Sequence, residues 1–447
     1  MEFAGWRGRL GRILPSALLR KILASQQSGD LPPLASISNV RSENEDAVRA
    51  VADRLGINYS WDQNSTSYVT NQDSWRVLEA ELQLAGMFCY PITELGSYAA
   101  SSSWAVGLSR LDSRSQGTGA RWNVFPGEIE PTHDALDFVG PIDVVYTWVD
   151  ADDPTWRTEY RQALLEEQGE LESSAADLGR FVSHDELRYS LRSLEMHLPW
   201  VNNIYLVTAA QVPEWLVAEH PKLTVVDHAE IFDPHCLPTF NSHAIESRLS
   251  FISGLSEHFI YVNDDVFFGQ PLSPHTFFGP TGQAKFSLAQ GHFADAAEAE
   301  LPVNVAAANN RELVVSSYGR TTSRKFKHIA HPQRLSVHRL AHEIFEEELA
   351  ATAMNKFRNP ADISLPSSLA HQLAARTGHG YPAEFDYAYL DIGSPSLSVQ
   401  ALRLARRKPP QMFCLNEVRQ PTDIRQRARV VKQLLEVLYP YRSSFEK

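Results

Sequence analysis

The chain has 447 residues, of which 43% are hydrophobic and 21% charged; 41 basic side chains stand against 54 acidic ones, for a net charge of −13. That is the make-up of a soluble globular protein of two or three domains, and the acidic balance argues against bulk nucleic-acid binding. Three cysteines (Cys89, Cys236 and Cys414), none in a Cys-x-x-Cys pair, argue against a disulfide framework and against a zinc site.

Residues 1–22 carry Arg7, Arg9, Arg12, Arg20 and Lys21 against Glu2 alone, among Trp6 and several Leu and Ile. Such a basic amphipathic stretch suits an anionic membrane face, although Pro15 interrupts the helix; docking on the protein's own surface is the alternative. No apolar run approaches the ~20 residues of a membrane-spanning helix, and no secretory leader is read. The expectation is a cytoplasmic protein, with peripheral contact at the inner membrane face through residues 1–22. After residues 1–30 an accessory α/β domain is expected over 31–135. In it "SENEDAVRAVADRLG" and "SWRVLEAELQLAG" predict helices closed by Gly56 and Gly86. Between Ser101 and Gly127 the sequence turns Ser/Gly-rich and loses its period.

A catalytic domain is expected over 136–447. "IDVVYTWV" predicts a buried strand. "SHDELRYSLRSLEMHLPW" predicts a helix with a Ser183–Glu186 capping box and a stripe of Leu187, Leu191, Leu194 and Leu198. Further strands are read at "NIYLVT", "LTVV", "HFIYV" and "MFCLNE", and short helices after Pro213 and after Asn241 or Ser242. Alternating strands and helices imply a mostly parallel sheet covered on both faces, binding ligand beyond the C-terminal strand ends. Asp264 and Asp265 fall at such an end, as do Asp150, Asp152 and Asp153.

Two adjacent carboxylates at the edge of a core repel each other, and burying both without a partner is costly. A hard cation, Mg²⁺ or Mn²⁺, relieves this and is commonly shared with substrate phosphates. Arg188 and Arg192 are one helical turn apart, a spacing an anion would favour; Glu195 offers a plain counter-charge instead. His328 and His331 sit in a basic strip where an imidazole could take a proton from an attacking hydroxyl. Arg358 and Asn416 add polar groups farther along.

In order, "IDVVYTWVDADDPTW", "DELRYSLRSLEMHLPWVNNIYLVT", "LPTFNSHAIES…HFIYVNDDVFFG", "HIAHPQR…NKFRNPADI" and "FCLNE…LLEVLYPYRSSFE" resemble the Stealth family of bacterial capsule and exopolysaccharide phosphotransferases. The animal N-acetylglucosamine-1-phosphotransferase shares these blocks. The resemblance covers roughly residues 141–447 and implies a nucleotide-binding α/β fold. It also implies transfer of sugar-1-phosphate from a UDP-sugar to a sugar hydroxyl of an oligo- or polysaccharide, with release of UMP. By the same resemblance the aspartates of "NDD", a histidine of "HIAH" and the arginine of "NKFR" belong to the active site. That makes Asp264 and Asp265 metal ligands, and His331, His328, Arg358 and Asp265 catalytic. Trp148 and Asp150 are expected near the nucleoside. Glu246 is expected to orient an acceptor hydroxyl or merely to cap its helix, and Asn241 and Asn416 to contact substrate. Ala151 departs from the family pattern, in which Gly or Asn often follows the aspartate. Two alternatives stand beside this reading: a metal-dependent glycosyltransferase releasing UDP, and a non-catalytic scaffold that binds nucleotide sugar or polysaccharide.

Overall fold

The computed structural model describes residues 39–61, 66–69, 72–91, 106–111, 121–126, 138–167, 185–292, 302–406, 409–416, 424–440 and 442–447. The described residues up to 126 and those from 138 onward form two separate compact units. The expectation for residues 1–22 lies outside the described residues.

In the N-terminal unit the helices Asn39–Arg54 and Gln72–Leu84 bury Val48, Val51 and Ala52, and Trp75, Leu78 and Leu82. Both sets recur at helical spacing, which gives each helix one apolar face. Gly56 and Gly86 follow them with φ of +65° and +76°, a left-handed conformation that glycine adopts at no steric cost. Five strands, β1 (Asn58–Trp61), β2 (Thr66–Val69), β3 (Met87–Pro91), β4 (Val106–Leu111) and β5 (Arg121–Pro126), make one sheet in the order β1-β2-β4-β5-β3. Strands β4 and β5 correct the aperiodic reading of residues 101–127. Each spans only six residues, and the polar residues mixed into "VGLSRL" and "RWNVFP" hide the alternation of a short strand.

The second unit is built on β6 (Ile142–Thr147), β7 (Ile204–Thr208), β8 (Leu223–Asp227) and β9 (His258–Asn263), which run parallel. In chain order there follow β10 (Val266–Phe268), β11 (Ala284–Phe286), β12 (Leu288–His292), β13 (Arg324–Phe326) and β14 (His331–Arg334). The last three are β15 (Gly380–Pro382), β16 (Tyr387–Asp391) and β17 (Met412–Asn416). The central sheet has the order β14-β9-β6-β7-β8, with β14 antiparallel to β9. Strands β10, β17 and β16 form a second sheet. Most residues of β6, β7 and β9 are buried on both faces, as expected of a covered parallel sheet. Asp143, fully buried within β6, accepts hydrogen bonds from the Asn202 side chain and from the Asn203 and Ser256 backbone N–H groups, so its charge is solvated internally.

One core cluster joins β6, β7 and β9 to the predicted leucine stripe of helix Glu186–His197. The helix start differs from expectation. Asp185 precedes it at φ 66° without a side-chain cap, so Glu186 is the first helical residue and cannot close a box; Ser183 lies outside the described residues. Pro213 opens a turn and not a helix: Leu216 is drawn into an antiparallel bridge with Glu446.

Register places the functional rim. Thr147 pairs with Asn263 and Thr208 with Asp227. The parallel strands therefore end level, and the residues that follow each of them meet at one edge.

Candidate active site

The chain leaves β9 at Asn263, turns through Asp264 and Asp265, and re-enters a strand at Val266. Both flanking strands are buried and paired, β9 to β6 and β10 to β17. The turn therefore cannot slide, and its two carboxylates are held at the rim. His328 Nε2 donates to both Asp265 oxygens at 3.3 Å, Cys414 Sγ donates to Oδ2 at 3.2 Å, and Asn416 Nδ2 donates to Oδ2 at 3.2 Å. Cys414 and Asn416 are two apart on β17 and so share a face.

The electrostatics show a surplus of negative charge. Burial, then the Asp265 charge, then Glu186 push the Asp264 carboxyl well above the ordinary carboxylate range. Burial lowers the His328 imidazole, but the Asp265 carboxylate outweighs it and leaves the pKa above the usual histidine value. Burial and Asp265 hold the Cys414 thiol well above the usual range. Asp265, His328 and Cys414 each offer an atom within 4.8 Å of the others, a set able to hold a metal ion. The fit for a hard cation lies in the oxygen donors. A thiol kept protonated is a poor ligand, whereas two crowded carboxylates gain most from a divalent ion between them and substrate.

A second layer of polar groups lies on the face of β9 that carries Tyr261. The Tyr261 hydroxyl donates to Glu246 Oε1 at 3.1 Å and lies 3.1 Å from Thr147 Oγ1. Ser364 Oγ donates to Glu246 Oε2 at 3.3 Å. Arg358 donates from Nη2 to Ser242 Oγ at 2.9 Å, while its buried Nε finds no hydrogen-bond partner among the described residues. Burial lowers the Arg358 pKa, opposed by the charges of Glu246 and Asp362. His331 lies directly across from Tyr261 in the β14–β9 pairing, its ring stacked at 6.5 Å. Its Nδ1 is 2.9 Å from His371 Nε2, and burial followed by the charges of His371 and His328 holds its pKa well below the usual value.

Asp264, Asp265, His328, His331, Arg358, Glu246 and Asn416 thus belong to one connected region. Other expected residues do not join it. Arg188 and Arg192 are clamped on Glu446: Arg192 donates from Nε at 2.7 Å and from Nη2 at 2.8 Å, and Arg188 donates from Nε. Both guanidinium groups thus pair with an internal carboxylate, and not with the carboxylates of the Asp264–Asp265 turn. Asn241, fully buried, accepts from the His243 backbone N–H as the cap of helix Ser242–Ser247 and donates to Asp362 Oδ2 at 2.8 Å. These bonds tie the start of that helix to the segment that carries Asp362. Trp148 packs against the core cluster of β6. Asp150 is fixed by backbone bonds to the Gln211 side chain and by the Asp152 N–H on its own carboxylate. Asp152 pairs with exposed Arg157, and Asp153 caps helix Pro154–Glu166. Ala151 is buried among Trp156, Tyr160, Phe240 and Phe357. Its methyl group packs in an aromatic cluster.

Sequence reading missed a cavity of about 310 Å³ at the ends of β7 and β8, with walls that include Trp156, Phe240, Asp227, His228 and Thr239. Buried His228 is held neutral, its pKa lowered to about 4, and its Nε2 has no partner among the described residues. Tyr261, His371 and Cys414 were missed as well. Cys414 carried a signal, the shared strand face with Asn416; His371 carried none.

Comparison with known proteins matches the chain to four family models. Stealth protein conserved region 1 covers residues 140–167, region 2 covers 180–286, region 3 covers 327–375 and region 4 covers 403–447, together just over half of the chain. Asp264 and Asp265 fall in region 2, His328, His331, Arg358 and His371 in region 3, and Cys414 and Asn416 in region 4. An exopolysaccharide phosphotransferase of Streptomyces coelicolor is 44% identical over 69% of this chain and 52% of its own length. Exopolysaccharide phosphotransferase CpsY of Mycobacterium tuberculosis is 38% identical over 74% of this chain and 62% of its own length. The chain thus spans only about half to three fifths of these relatives. A solved galactosyltransferase with donor and acceptor sugar analogues aligns over 68% of this chain and 97% of its own, at a TM-score of 0.34 and 11% identity; so loose a superposition carries no argument.

Proposed function

This chain belongs to the Stealth family, and from that premise we propose that it transfers sugar-1-phosphate from a nucleotide sugar, UDP-linked, to a sugar hydroxyl of a surface polysaccharide. The observation that carries the reading is the pinned Asp264–Asp265 turn, where three carboxylates, Glu186 included, act on one partly buried point. Asp264 and Asp265 would hold Mg²⁺ or Mn²⁺, which when bound neutralises charge on the donor pyrophosphate.

The cavity beside β7 and β8 suits the nucleoside, with Trp156 and Phe240 as aromatic walls. Strands lie ~4.8 Å apart, so that cavity sits two to three strands from the Asp264–Asp265 turn, the reach of a nucleoside diphosphate. Catalysis of phosphoryl transfer is chiefly positioning and charge stabilisation. Arg358 stands beside Glu246 and Tyr261 with an unused N–H, and presents positive charge to the transferring phosphoryl group. A histidine takes the proton of the acceptor hydroxyl as its oxygen bonds to the sugar-bearing phosphorus, and the bond from that phosphorus to the bridging oxygen breaks. The products are a phosphodiester and UMP. We take His331 as the base, because its Nε2 has no hydrogen-bond partner among the described residues. Relatives named exopolysaccharide phosphotransferases support the acceptor class.

The test is Asp265→Asn. Loss of its charge should reduce turnover at least 10²-fold while the circular dichroism spectrum stays native, and chelator should abolish wild-type turnover. Near-normal rates for the variant in the presence of chelator would overturn the reading. A glycosyltransferase differs in the small product: UDP with stoichiometric glycoside.

A further inference from the structure

We propose that His371 is a positioning residue that fixes the tautomer of His331, keeping its proton on Nδ1 and a bare lone pair on Nε2; this rests on the proposed role of His331 as the base. The protons can be placed by following the hydrogen bonds inward from outside the site. Gln333 Nε2 lies 2.7 Å from the Pro366 carbonyl, which can only accept, so the amide nitrogen must face it. The opposite end agrees, since Gln333 Oε1 lies 2.9 Å from His338 Nε2 and accepts its proton. The same Gln333 nitrogen reaches His371 Nε2 at 3.5 Å. An amide nitrogen only donates, so His371 Nε2 is the bare nitrogen of its ring.

That nitrogen also lies 2.9 Å from His331 Nδ1. A bare acceptor needs a donor, so the proton of this bond belongs to His331 Nδ1. A neutral imidazole carries one proton, and His331 Nε2 is therefore left with its lone pair. Nε2 is buried and finds no hydrogen-bond partner among the described residues. Phe286 and Phe326 lie 5.4 and 5.3 Å from the His371 ring and keep water from competing for its nitrogen. His328 donates from Nε2 to the Asp265 carboxylate, so in its neutral form the bare nitrogen is Nδ1.

The experiment joins ring ¹⁵N NMR of histidine-labelled full-length protein to steady-state kinetics of UMP release. The His331 signal is assigned by its loss in His331→Gln. In the wild type, Nδ1 should show a protonated shift and Nε2 an unprotonated one. His371→Leu, which removes the acceptor, should give a mixed tautomer and a fall in kcat of about 10²-fold, within the usual worth of a general base, with donor KM changed less than threefold. His371→Gln, which offers a carbonyl oxygen in place of Nε2, should recover at least tenfold of that loss. A wild-type His331 protonated at Nε2 overturns the inference, as does a His371→Leu variant with unaltered kcat. The NMR arm needs no substrate. A bare Nε2 without any transfer activity would leave the tautomer standing and sink the proposed function instead.

Discussion

Replacing Glu446 by Gln tests whether Arg188 and Arg192 serve the fold or the substrate. The Glu446 side chain is fully buried, and its carboxylate accepts from Arg192 Nε and Nη2, Arg188 Nε, the Ser443 backbone N–H at 2.9 Å and Ser443 Oγ at 3.2 Å. Burial alone would raise its pKa, but Arg192, the Ser443 N–H and Arg188 outweigh it and bring it to about 2. A carboxyl depressed in the folded state stabilises above its unfolded pKa, ~4.3. That contribution fades as pH falls through about 2. The depression amounts to about 3 kcal/mol, in line with the ~3–5 kcal/mol for breaking one side of a buried ion pair. Urea denaturation at pH 7 should therefore find Glu446→Gln less stable by about 3 kcal/mol, and the gap should narrow between pH 4.5 and 2. Arg192→Met should likewise lower stability while leaving the donor KM of the folded fraction within threefold. A gap below about 0.5 kcal/mol, or a gap indifferent to pH, would refute the clamp. A large rise in donor KM with unchanged stability would return the arginines to the substrate.

Two further outcomes follow from packing and from charge. Ala151→Leu adds bulk to the buried cluster of Trp156, Tyr160, Phe240 and Phe357, and should cost about 1–3 kcal/mol in chemical denaturation; a neutral result would mean that the cluster has room. Arg358→Lys keeps the charge but loses the planar fork, so kcat should fall 10²-fold or more with native circular dichroism, and retention of over half the wild-type kcat would remove Arg358 from the reaction.

Local pattern carried much of the fold. The apolar, β-branched runs at 142–147, 204–208 and 258–263 fold as buried parallel strands because burial on both faces demands such runs. From those strand ends the rim position of Asp264 and Asp265 followed. Pairings distant in sequence were not legible. Arg192 meets a carboxylate 254 residues away, and His331 meets a ring 40 residues away; a helical spacing of two arginines looks the same whether an anion or a glutamate lies between them. The bond of Asn241 to Asp362, 121 residues away, was equally illegible.

The central claim, that a sugar alcohol attacks the sugar-bearing phosphorus of a nucleotide sugar held at Asp264 and Asp265, is tested most directly by the nucleotide that leaves. The purified chain is incubated with a panel of UDP-sugars, Mg²⁺ and oligosaccharide acceptors. The account predicts UMP in equal amount to a new phosphodiester, lost on chelation and in Asp265→Asn. UDP matched by a simple glycoside would contradict it.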